Sequence, residues 1–288
     1  MTMIVFSIPM AFADSDRESK LEFAGTLEEA LGHFWALELN LDEKNSKLAL
    51  VHATHPIAEL YETMATHLKD NPDFDQKLEQ TLMELKEKAS TDVSRSQAQS
   101  AIEDAKSIIE EARGIVVGDE LSNEPEFKMQ LINGLLETSK VEYKEAVSSG
   151  VIEEMAEFQD GSAFVWQSQQ IFSTIENEIE PMDVDRINEY YEMVWAGFDA
   201  REDPQNVENY IDAVIYEYEE VSGIPSTVSD HEAQYLKSLS PIKQLKEGVE
   251  PDEIQCKTTH SLVFKSSGEP ACVKYSSVQK LVSMGWTQ

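Results

Sequence analysis

Two stretches of this chain, 105 positions apart, carry one rhythm. Leu50, Val51, His52, His55, Pro56, Ala58, Leu60 and Tyr61 align with Met155, Ala156, Glu157, Asp160, Gly161, Ala163, Val165 and Trp166. Apolar positions match apolar ones, the breaker Pro56 matches the breaker Gly161, and two histidines match two carboxylates. A second alignment, shifted by 109, pairs Ile102 with Ile211, Glu110 with Glu219, Glu111 with Glu220 and Gly114 with Gly223. A repeated helical unit restricts the fold to two related halves packed about a pseudo-twofold axis. Side chains from both halves can then meet at the seam.

Helix start signals divide the region. Thr26-Leu-Glu-Glu29 and Ser94-Arg-Ser-Gln97 read as capping boxes, and Asn71-Pro72, Glu180-Pro181 and Asp203-Pro204 place proline in a first turn. Between these marks the apolar residues recur at three and four, as in Ile102, Ala105, Ile108, Ile109 and Ala112. The spacing predicts helices over 26–42, 46–69 (bent at Pro56), 73–90 and 95–113. A second set covers 125–147, 151–178 (broken near Gly161), 183–200 and 204–222. A short helix over 230–239 follows the linker at Ser222–Ser226.

The tail has another texture. His260–Lys265 and Ala271–Tyr275 read as strands around a turn at Ser266–Pro270, and Ser276–Met284 as a helix. Cys256 and Cys272 suit one disulfide, which a module of about 50 residues needs because its core is small. The fold class is therefore all-α, with duplicated four-helix units and a small disulfide-stapled α+β C-terminal module. The helical units form two up-down bundles or one eight-helix array. The expected divisions are a leader at 1–13, helical units at 14–120 and 121–223, and a linker with the module at 224–288.

Charge and the N-terminus bear on compartment and partners. The formal net charge is −32, and the chain after Ser229 is near neutral, so the excess sits on the helices. Such a field repels nucleic acid and attracts metal cations or a basic envelope protein. Met3–Ala13 is an apolar run ending in Ala11-Phe12-Ala13, followed by polar Asp14-Ser15-Asp16. This is the pattern of an export signal and is too short to span a bilayer. The expected location is extracellular or at the cell envelope, with no transmembrane segment in the mature chain.

Two resemblances agree with export. The tail motifs Ser240-Pro-Ile-Lys-Gln244, Cys256-Lys257, Pro270-Ala-Cys-Val-Lys274 and Gly285-Trp286 resemble a module recurring on exported proteins of ammonia-oxidising archaea. That likeness implies an envelope setting and the Cys256–Cys272 bond. The duplicated helical layout is similar to extracytoplasmic helical domains of iron-uptake systems, the imelysin-like proteins and the exported extensions of iron permeases. The imelysin-like G-x-H-x-x-E signature has its nearest counterpart here in His55-Pro-Ile-Ala-Glu59, one residue longer. The likeness implies metal-ion binding in iron or copper acquisition.

The candidate ligands are His52, His55, Glu59, Glu157 and Asp160. His52 and His55 share one helical face at i and i+3, and Glu59 follows four residues later. Pro56 lacks an N–H and bends the helix beside them. Imidazole combined with carboxylate suits iron, copper or zinc, and no organic cofactor is implied. The alternative for His52 and His55 is a pair of buried, hydrogen-bonded helix residues. No Glu-x-x-His, H-E-x-x-H, G-x-S-x-G, Walker or dinucleotide motif occurs, so common hydrolase and nucleotide chemistries find no support. A binding role fits better than an enzyme, with a non-catalytic envelope or interaction protein as the competing class.

Overall fold

The structure is a computed structural model that describes residues 10–90, 93–223, 241–246, 249–251, 254, 256, 260–274, 278, 280–282 and 284–287. The chain forms two compact units, Met1–Ile224 and Pro225–Gln288. Among the described residues, the first is built of helices with one short hairpin.

Its first helix, α1, runs Met10–Asp42, sixteen residues earlier than the start expected at Thr26. Thr26 does not cap. Its hydroxyl donates back to the Glu22 carbonyl at 3.0 Å, as a mid-helix threonine does. The stripe Phe23, Leu27, Ala30, Phe34, Leu37 and Leu41 is buried and carries the helix through that position. A tight turn with Lys44 at φ +60° then leads into α2 (Ser46–His55), capped by the Asn45 side chain on the Leu48 N–H at 3.3 Å.

Pro56 does not merely bend the helix. Pro56–Leu60 is a π-helical turn between α2 and α3 (Tyr61–His67). Such turns widen a helix locally and recur at functional sites. α4 (Pro72–Ala89) and α5 (Arg95–Val116) complete the first set, and the expected Ser94/Gln97 capping box is present.

After the short α6 (Asp119–Ser122), the second set comprises α7 (Pro125–Ala146), α8 (Met155–Ser173), α9 (Pro181–Ala200) and α10 (Pro204–Ser222). The helix expected over 151–178 is shorter at both ends. β1 (Val147–Ser148) and β2 (Val151–Ile152) form a hairpin through Ser149 and Gly150, both at positive φ, which returns the chain beside α7.

The break expected at Gly161 is absent, because α8 passes through it without interruption. Gly161 instead permits close packing of α7 on α8. A Cβ there would lie 3.3 Å from both the Ser139 carbonyl and the Tyr143 nitrogen. The Ser139 hydroxyl donates to the Gly161 carbonyl at 2.8 Å, across the same contact. Gly32 plays the same part between α1 and α8, where a Cβ would meet the Phe164 ring at 3.0 Å.

α1 ties the two sets together, packing on α2 and α5 and also on α7 and α8. Glu28 of α1 fixes this junction. It accepts from Arg113 of α5 at 2.8 Å and from Gln167 of α8 at 2.6 Å, with all three largely buried. One hydrophobic core runs through both sets, from Phe23 to Tyr218. No described helix is long and apolar enough to cross a membrane.

The second unit holds the antiparallel pair β3 (His260–Phe264) and β4 (Pro270–Lys274), after a short α11 (Pro241–Lys246). Leu262 faces Cys272 in the register, and Cys256 is disulfide-bonded to Cys272. The expected turn carries Gly268 at φ +83°. Residues 278 and 280–282 are helical, within the expected C-terminal helix. The leader up to residue 9 and the helix expected at 230–239 lie outside the described residues.

Gly161→Ala should lower stability by about 1–3 kcal/mol, since the new methyl meets α7 backbone at both contacts and the two helices would have to part. Chemical denaturation measures it. An unchanged midpoint would show that α7 and α8 can separate freely at this point.

Candidate metal centre

α1, α2 and α8 converge on one buried carboxylate. Asp160 belongs to the inward face of α8, with Ala163, Phe164, Gln167 and Ile171 following at helical spacing. Gly161 beside it draws α8 toward α7, and Gly32 draws it toward α1, so the carboxylate is carried into the seam. His52 and His55 come from the last turn of α2, just before the π-turn. His33 comes from α1, on the buried side next to Phe34.

The distances are short. Asp160 Oδ1 lies 2.7 Å from His33 Nδ1 and 3.0 Å from His52 Nδ1, and Oδ2 lies 3.0 Å from His55 Nδ1. One donor atom from each of the four residues falls within 4.8 Å of the others. His52 is fully buried, Asp160 and His33 nearly so, and His55 is half-buried. The His33 ring sits edge-on to His55 at 4.9 Å and to Phe164 at 5.3 Å.

Proximity is not the same as hydrogen bonding here. His52 Nδ1 is hydrogen-bonded to Asp160. The Nδ1 atoms of His33 and His55 are buried without a hydrogen-bond partner, although each lies within 3.0 Å of a carboxylate oxygen. Both rings nevertheless lie against the carboxylate and help to hold its charge. Three imidazole nitrogens and one carboxylate form a donor set that suits a divalent transition-metal ion.

Electrostatics follow from the same packing. Burial alone would raise the Asp160 carboxyl, but the surrounding His33, His52 and His55 rings hold it well below the usual carboxylate range. Burial would lower His55. The adjoining Asp160 carboxylate reverses that and raises it, with Glu59 and Glu157 adding to the effect.

Of the five residues expected from the sequence, the structure brings three together: His52, His55 and Asp160. Glu59 is exposed, with its carboxylate 3.8 Å from the far nitrogen of His55. Glu157 lies one turn before Asp160 and hydrogen-bonds to Glu142 of α7. Neither belongs to the four-residue group. His33 was not foreseen. It is a single histidine inside an apolar stripe, and only its place seven residues before the buried Asn40, on the same helix face, hints at a polar seam.

The Glu142–Glu157 contact forms an acidic flank. Burial pushes the Glu142 carboxyl up to about 8, with the Glu157 hydrogen bond and the nearby acids reinforcing it. Residues 118–225, from the start of α6 to the end of α10, match the family model of the iron permease-associated 4-helix bundle domain. No curated protein and no solved structure matches the chain significantly.

Glu142 keeps its proton in the folded chain to a higher pH than in the unfolded chain, whose ordinary value is 4.5. Its contribution to stability is therefore full below that value and is lost as pH rises toward about 8. Glu142→Gln should remove this loss. Relative to wild type, its unfolding free energy should rise between pH 5 and pH 8, by on the order of 1 kcal/mol because solvent screens the half-exposed pair. A constant difference across that range, in parallel denaturation series, would rule out a proton shared with Glu157.

Proposed function

We propose that this chain binds a divalent transition-metal ion through His33, His52, His55 and Asp160, in an extracytoplasmic step of iron handling. The observation that carries the reading is the convergence of three imidazole nitrogens from α1 and α2 on one buried carboxylate, with a donor atom from each of the four residues within 4.8 Å of the others.

The donor set by itself admits iron(II), copper(II) or zinc. The match of α6–α10 to an iron permease-associated domain favours iron as cargo. The disulfide of the second unit and the apolar segment before Asp14 favour an oxidising, exported setting. The acidic surface would concentrate cations around the molecule at low ionic strength. Glu59 and Glu157 are outlying carboxylates that neighbour His55 and bias the local field, with the four inner residues as ligands.

Purified chain, stripped with chelator and dialysed against iron(II) without oxygen, zinc or copper(II), should take up one ion per molecule. His33→Ala, His52→Ala and Asp160→Asn should each abolish stoichiometric uptake, while Glu59→Gln should keep it. Uptake by wild type no greater than by a His33→Ala/His52→Ala double variant would end the proposal. Saturating metal should also raise the unfolding free energy, by about 2.7 kcal/mol at a hundredfold excess over Kd.

A further inference from the structure

Behind the four inner residues lies a chain of amide hydrogen bonds that begins on a backbone carbonyl. Asn40 is fully buried on α1, seven residues after His33. Its Nδ2 donates to the Ala36 carbonyl at 2.8 Å and to Gln159 Oε1 at 2.9 Å. Gln159 Nε2 faces Asn40 Oδ1 at 3.4 Å. His52 Nε2 lies 2.8 Å from the same Gln159 Oε1.

The direction of every bond in this chain is determined. A backbone carbonyl can only accept, so Ala36 requires the NH₂ end of Asn40. That NH₂ group then requires the oxygen of Gln159, because a flipped glutamine would set two donors against each other. An amide oxygen cannot donate, so His52 must carry a hydrogen on Nε2. The remaining nitrogen, Nδ1, is the one that faces Asp160.

We infer that Asn40 and Gln159 are positioning residues that hold a proton on His52 Nε2 and so reserve Nδ1 for the metal. The inference rests on the metal reading for its purpose, though not for its hydrogen-bond logic. Partners of this kind fix the tautomer and the ring plane of a ligating histidine and commonly change metal affinity by 10–100-fold. The clamp also joins the two helices that flank α2, because Asn40 comes from α1 and Gln159 from α8.

The test is long-range 1H–15N correlation on the full chain labelled with 15N-histidine, without metal and with Zn²⁺ alone, with His52→Ala giving the assignment. In wild type, His52 Nε2 should show a protonated nitrogen in both states, and only Nδ1 should shift on adding Zn²⁺. Gln159→Leu should lose the protonated Nε2 signature and weaken Zn²⁺ binding about 10–100-fold. Gln159→Glu, whose carboxylate still accepts from Nε2, should restore both. A deprotonated Nε2 in metal-free wild type would overturn the inference, as would a Gln159→Leu variant with unchanged signature and affinity. A chain that binds no Zn²⁺ would sink the metal reading, and the metal-free comparison would still decide whether Gln159 fixes the ring.

Discussion

A carboxylate at the seam of three helices sets the terms for the rest of the structure. Asp160 is almost fully buried, and a bare charge in that position would cost several kcal/mol. Three imidazoles from α1 and α2 surround it, each with a ring nitrogen within 3.0 Å of a carboxylate oxygen. Removing one partner from such a cluster leaves the others badly paired. The close approaches at Gly32 and Gly161 have meaning in that light, since they bring α1, α7 and α8 near enough for the cluster to close.

The cluster was partly legible in the chain itself. His52 and His55 share a face by spacing alone, and the rhythm that aligned His55 with Asp160 also named the carboxylate that His55 meets at 3.0 Å. What spacing could not supply was His33. Its neighbours Phe34 and Leu37 are ordinary core residues, and a histidine among them is usually satisfied locally. Only the packing of α1 between both sets turns it toward Asp160. The start expected at Thr26 and the break expected at Gly161 are absent for a common reason. Thr26 and Gly161 carry residue types that mark ends, yet each sits in a continuous apolar stripe, and burial of that stripe outweighs the local preference.

The division of labour between the helices bears on what the domain match can say. Residues 118–225 contribute Asp160 and its neighbour Gln159. All three histidines, and Asn40 behind them, come from α1 and α2, outside the matched span. The matched span of this chain therefore supplies the acid, and the four-residue cluster forms where the preceding helices dock on it. The Glu28, Arg113 and Gln167 contacts serve that docking too, a little over one turn before His33 on α1 and two turns after Asp160 on α8.

On the proposed function, proton and metal would compete for the same nitrogens. The Asp160 carboxylate raises His55 despite its burial. A divalent cation at that point would bring two positive charges, and any hydrogen on a ligating nitrogen would have to leave as it entered. Gln159 would limit the exchange, since it accepts from His52 Nε2 and not from Nδ1. The acidic flank at Glu142 and Glu157 lies one helical turn from Asp160, on the α7 side of α8.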